Sequence, residues 1–144
     1  MAGLFRSTQC NIKTSTMNTT VKTLIENATS MALATNGEDG INIVPLSSWT
    51  VHEDKVLLYD FFMNKTAKNC KNNPKVALTC WNGFEGVQVK GVATYHTVGE
   101  IYTTSKEAML RKFPDRTLKG IITVKIEKVY DVAPGTNGEL MYLK

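Results

Sequence analysis

The stretch from Gly86 to Thr97, GVQVKGVATYHT, leaves this chain few ways to fold. Val87, Val89, Gly91, Ala93 and Tyr95 alternate with Gln88, Lys90, Val92, Thr94 and His96. A period of two puts the first set on one face of a strand and the second set on the other. A helix would scatter both sets around its axis, so a half-buried strand is predicted.

Similar runs recur along the chain. Met31 to Thr35 is apolar, closes on the turn-rich NGEDG and is followed by Ile41 to Trp49, which together read as a hairpin. Lys55 to Phe62, KVLLYDFF, is a third strand by its β-branched and aromatic content. Lys75 to Trp81 and Lys119 to Val132 complete a set of six. Six strands joined by short turns predict a mainly β fold, a small antiparallel barrel with a few short helices. The helices are expected near Val21 to Ala28, capped by Thr19 or Thr20, between Lys65 and Asn72, and from Glu100 to Phe113, where Pro114 ends the run.

A length of 144 residues suits one domain with a real core. Residues 1–18 read as a flexible N-terminal arm and 19–144 as the single domain. No apolar run approaches the roughly 20 residues that cross a bilayer, so no membrane partner is expected. Three cysteines, none in a C-x-x-C pair, argue for reduced thiols in a cytoplasmic protein and against a disulfide framework or zinc site. The net charge of +4 favours anionic partners without choosing among them.

The charge concentrates in Asn64 to Lys75, NKTAKNCKNNPK, with four lysines and no acid. At the start of a helix Lys65 and Lys68 each oppose the dipole by about 0.3–1 kcal/mol. Lys65, Lys68 and Lys71 also form a like-charge stripe at i, i+3 spacing. An anion docked at that helix start would reverse the sign of both effects, with backbone N–H groups, the Thr66 hydroxyl and the Lys65 ammonium converging on its oxygens. A plain solvated face is the other reading, since lysine is a good helix former. The Gly-rich lead of a Walker A loop is missing.

Three blocks together resemble the pyridoxamine 5′-phosphate oxidase-like family of FMN-binding split barrels. ALATNGEDGINIVPLSSW is similar to its first hairpin, LLYDFFMNKTAKNCKNNPKVAL to its phosphate segment, and VQVKGVATY to a later strand. Gln88 lies 22 residues beyond Thr66, the interval at which the family has its flavin-contacting glutamine. The resemblance implies FMN as cofactor, with Lys65 and Thr66 on its phosphate and Lys68 nearby. It places Val44, Pro45, Leu46, Ser47 and Ser48 along the isoalloxazine ring, Tyr59 and Asp60 near the ribityl chain and phosphate, and Gln88 at the pyrimidine edge. It further implies a six-stranded FMN-binding split barrel that is a homodimer with FMN at the interface, and an oxidoreductase passing hydride or electrons through flavin N5, as a flavin reductase or oxidase relative. NAD(P)H is the expected donor.

The remaining candidates carry less chemistry. His52 and His96 have no second ligand at metal spacing and read as surface residues. Trp49 and Trp81 read as core or interface aromatics, with Trp49 at the end of the flavin strand. Cys70 and Cys80 read as small buried hydrophobes. Glu38 and Asp39 sit in a turn and read as solvated. No catalytic residue and no metal ligand is assigned. Two rival functions use the same composition: an FMN-binding electron carrier without its own substrate, and a single-stranded nucleic-acid-binding barrel. The second expects basic and aromatic residues spread over several strands rather than gathered at one helix start, so no nucleic-acid partner is expected.

Overall fold

The structure, a computed structural model, describes residues 17–136, 138 and 140–141. Its strands are β1 (Ser30–Gly37), β2 (Gly40–Leu46), β3 (Trp49–His52), β4 (Lys55–Asp60), β5 (Lys75–Asn82), β6 (Glu85–His96), β7 (Gly120–Asp131) and β8 (Leu140–Met141). The helices are α1 (Thr19–Glu26), α2 (Asn64–Asn72) and α3 (Glu100–Lys112). All strands pair antiparallel in the order β2-β1-β5-β6-β7-β4-β3, with β8 added to β7.

The mainly β split barrel holds, with one correction to the strand count. The sheet path has seven strands where six are predicted, because Ile41 to Trp49 is two strands. Leu46 still pairs with Met31 of β1, whereas Trp49 already pairs with Leu58 of β4. The chain changes partners across Ser47 and Ser48, which belong to neither ladder.

That switch forces the sheet to curl. β2 and β3 are the two edges of the path, and a flat seven-stranded sheet would hold its edges about 29 Å apart. The link from Leu46 to Trp49 spans at most about 11 Å. Only a sheet rolled toward closure satisfies both.

The predicted alternation on β6 sets the core. Val87 and Val89 are fully buried and Ala93 nearly so, while Gln88 is half-buried on the opposite face. Gly91 belongs to the buried set, and a Cβ there would lie 2.5 Å from the Lys125 carbonyl oxygen. The β6–β7 register shifts at this point, between Lys90 and Gly91, and the irregularity leaves no room for a side chain there. Leu33, Leu58, Leu78, Ile122 and Val124 pack into the same interior. α1 plugs it with Val21 and Ile25, and Trp49 Nε1 donates to the Ile25 carbonyl oxygen at 2.8 Å. A second cluster, with Leu57, Tyr59, Met109, Leu118 and Ile121, lies under α3 on the outer side of the sheet.

α1 is capped one residue earlier than predicted. Asn18 Oδ1 accepts from the Thr20 N–H at 2.7 Å, and Met17 is only 8% exposed. These last two residues of the predicted arm are therefore part of the packed domain. Residues 1–16, the rest of that arm, lie outside the described residues, as does Cys10.

Cys70 and Cys80 are buried and free, as expected. Burial, with a smaller contribution from the Asp60 carboxylate, pushes the Cys70 thiol up to about 11. Burial likewise pushes Cys80 up to about 12, against a weaker opposing hydrogen bond involving Val87. Because the thiolate is the nucleophile, both should stay unmodified by Ellman's reagent at pH 8 in the native protein and react once it is denatured. Rapid labelling of either, located by mass spectrometry, would contradict this burial.

Candidate functional site

The site is built where β4 ends and α2 begins. Asp60, the last residue of β4, is 1% exposed and both its carboxylate oxygens are taken. Oδ1 accepts from the Met63 N–H at 2.7 Å and Oδ2 from the Tyr95 hydroxyl at 2.5 Å. Burial, followed by that hydrogen bond and the Asp60 charge, raises the Tyr95 phenol above its ordinary range, so it remains a proton donor. Asp60 thus ties the start of α2 to β6.

Met63 is the N-cap of α2 and supplies no side-chain cap. Its carbonyl accepts from the Ala67 N–H at 2.7 Å, leaving the amides of Asn64, Lys65 and Thr66 without an intrahelical acceptor. The first turn contains no acid. These N–H groups and the dipole make this end of α2 receptive to an anion.

A cleft of about 370 Å³ opens onto that helix start. Of the residues predicted for the site, Val44, Pro45, Leu46, Ser47, Ser48, Tyr59, Lys65 and Thr66 line it. Val44, Pro45 and Leu46 come from the end of β2, still paired with β1, and Ser47 and Ser48 from the partner switch, where the backbone is not spent on a ladder. Thr66 forms part of the floor at 1% exposure, with its Oγ1 accepting from Asn42 Nδ2 at 3.2 Å. Phe61, Phe62 and Met63 add an apolar side.

Three predicted residues fall elsewhere. Asp60 lies behind the cleft as a support rather than at its surface. Lys68 is one turn further along α2, outside the lining, with its Nζ 3.7 Å from Glu38 Oε1. Gln88 sits on β6, opposite Thr79 and Tyr130, and does not reach this chain's cleft.

The turn acids also differ from the reading as merely solvated. Asp39 Oδ2 lies 3.2 Å from Lys65 Nζ, so Glu38 and Asp39 face the two lysines expected to meet an anion. The hairpin is held there from below. Asn69 Nδ2 donates to Thr35 Oγ1 at 3.0 Å, and Asn69 packs so closely on Gly37 that a Cβ would lie 1.9 Å from its Oδ1. Both ion pairs are highly exposed, so each contributes about 1 kcal/mol or less and yields to a better-placed anion.

Sequence reasoning missed Asn42, Asn64 and Lys119. Asn42 alternates with the exposed Ile41 and Ile43 on β2, which puts it on the cleft side. Lys119 Nζ hydrogen-bonds Asn64 Oδ1, bringing another cation to the start of α2. Sequence distance from the lysine segment hides Asn42 and Lys119, and Asn64 shows its role only through Lys119.

The arrangement fits a phosphorylated planar cofactor. One end has free amides and lysines for a phosphate, the wall has polar backbone and hydroxyls at Ser47 and Ser48, and the side is apolar. The volume lies in the range of cofactor pockets.

A family model described as pyridoxamine 5′-phosphate oxidase matches residues 17–133. An uncharacterized protein of Methanocaldococcus jannaschii is 35% identical over 117 residues, covering 78% of each chain. Among solved structures, HupZ of Group A Streptococcus superposes with a TM-score of 0.73 at 21% identity, covering 83% of this chain and 97% of its own. An FMN-binding protein from Syntrophomonas wolfei gives a TM-score of 0.66 at 22% identity, covering 78% and 84% respectively.

Proposed function

This chain belongs to the pyridoxamine 5′-phosphate oxidase family, and we propose that it is an FMN-binding oxidoreductase passing reducing equivalents from a nicotinamide donor to a small acceptor. The observation carrying this reading is the meeting of the uncapped α2 start, Lys65 and Thr66 with the Val44 to Ser48 wall in one cleft. The name of the Syntrophomonas wolfei relative supports the choice of cofactor.

When bound, FMN supplies the hydride or electron chemistry at N5. The protein's part is to hold and orient it. The amides of Asn64, Lys65 and Thr66 donate to the phosphate, Lys65 adds a point charge, and Asn42 sets the Thr66 hydroxyl by occupying one of its lone pairs. Lys68 and Lys119 raise the local positive potential. The Ser47 and Ser48 backbone and hydroxyls meet the polar edge of the ring, and Phe61 and Phe62 keep water from its apolar side.

Gln88 enters this scheme through a second copy. The cleft of one chain is open, and Phe62 at its rim is 79% exposed, as are Ile41 at 82% and Ile43 at 67% on the edge strand β2. A homodimer would cover this apolar surface and bring a polar side chain to the open edge of the ring. The same reading takes it as a cytoplasmic protein, supported by the free thiols of Cys70 and Cys80. Among the described residues no helix is long and apolar enough to cross a membrane.

The test is an absorption spectrum of the purified protein, identification of whatever chromophore acid releases, and sedimentation of the coloured species. About one FMN per chain on a dimer is expected, with NAD(P)H consumed in the presence of an acceptor. A colourless protein that takes up no added FMN would overturn the cofactor assignment. FMN without NAD(P)H consumption would reduce the protein to an electron carrier.

A further inference from the structure

A second cavity, of about 570 Å³, lies between α3 and the outer face of β3 and β4. Leu57, Ile101, Ala108 and Met109 supply its apolar wall. Its polar groups are mainly hydroxyls: Ser105, 8% exposed, and the pair formed by Thr50 Oγ1 and the Tyr59 phenol oxygen at 2.6 Å. Among the described residues, Glu100 and His52 are its only ionisable groups apart from the Tyr59 phenol. None of the described lysines or arginines lines it.

Tyr59 lines both cavities and is 7% exposed. Its hydroxyl is bonded to Thr50, which lines only the second cavity, so the phenol oxygen points to that side while the ring borders the first. One side chain therefore separates the two spaces.

We propose that this second cavity binds an uncharged ring compound carrying a hydroxyl or carbonyl group, in contact with Tyr59. The apolar wall takes the ring, and the Thr50 and Tyr59 hydroxyls and Ser105 take its polar group. A phosphate or carboxylate is disfavoured: Glu100, in the first turn of α3, already answers the positive end of that helix, and among the described residues His52 is the one basic side chain in the lining. The contrast with the lysine-rimmed first cleft sorts ligands by charge. The position of the second cavity assigns its occupant to the substrate class of the flavoprotein, and that role alone rests on the cofactor reading. Binding itself does not.

Methyl-selective NMR tests this on the protein with and without FMN, using 1-naphthol as the uncharged probe and naphthalene-1-sulfonate as its anionic counterpart. Saturable shifts are expected at the Ile101 and Met109 methyls, with 1-naphthol binding at least about tenfold tighter than the sulfonate. Ala108→Trp, which fills the cavity from α3, should remove 1-naphthol binding and leave FMN uptake unchanged. In the loaded protein, 1-naphthol should perturb the flavin absorption through Tyr59. Equal binding of the two probes, shifts away from α3, or 1-naphthol binding retained in Ala108→Trp would each overturn the proposal. If Ala108→Trp fails to fold, the comparison of probes on the unmodified protein decides alone. Binding of 1-naphthol to a chain that takes up no FMN would sustain this cavity and overturn the cofactor reading instead.

Discussion

Asp60→Ala should destabilise the protein by about 3 kcal/mol, a large share of the roughly 5–15 kcal/mol that holds a domain of this size. The carboxylate is 1% exposed and accepts from the Met63 N–H and the Tyr95 hydroxyl. Alanine leaves both donors without their acceptor and opens a small void between β4 and β6. Half-buried Tyr95 can recover water in part, which keeps the figure below the sum of two fully orphaned donors. Tyr95→Phe, which leaves the Met63 contact intact but takes the donor from one oxygen of the buried carboxylate, should lose about 2 kcal/mol. Urea unfolding of the three proteins measures the difference. A midpoint for Asp60→Ala within error of the unmodified protein would mean that this carboxylate does not hold α2 in place.

The second large effect concerns ligand affinity with little change in stability. Replacing Lys65 and Thr66 together with alanine should weaken FMN binding by about 3 kcal/mol, more than a hundredfold. It removes a charge-assisted contact and a hydroxyl from the phosphate end while the helix amides remain. Riboflavin, which lacks the phosphate, should bind the variant and the unmodified protein alike, and that comparison separates a lost phosphate contact from a damaged ring site. Equal FMN affinity in the two proteins would move the phosphate elsewhere. Salt sharpens the test: exposed charges are screened within about 10 Å at 0.1 M, so the gap between the proteins should narrow as ionic strength rises.

The sheet was legible from the sequence because its information is local. Alternation on Gly86 to Thr97 separated the buried face of β6 from the other, and NGEDG marked the β1–β2 turn. The anion-receptive start of α2 was also legible, since an acid-free run of lysines closed by Pro74 is unusual whatever surrounds it. The break at Ser47 and Ser48 was not, because both halves of Ile41 to Trp49 have strand character and only the identity of their partners, β1 and then β4, divides them. Asp60 is the instructive case: its position beside the phosphate segment implies a ligand contact, and what the sequence does not show is that Tyr95, 35 residues away, also makes it a buried tie. Asn42 and Lys119 were missed as members of the site, and Glu38 and Asp39 as partners of its lysines, for one reason: each meets α2 only after the sheet has rolled up, and one sequence carries no signal for that pairing.

The strand order has a consequence for how the protein is made. The β3–β4 hairpin joins the rest of the sheet only through β7. On the ribosome every residue lining the first cleft is synthesised before β7 exists, because that lining ends at Thr66 and β7 begins at Gly120. The β1–β2 and β3–β4 hairpins can form early, but no strand ladder joins one to the other until β7 pairs with both β6 and β4. A nascent chain should therefore stay unable to capture cofactor until nearly its whole length has emerged, and a ribosome stalled before β7 would carry a chain with the cleft residues and no cleft.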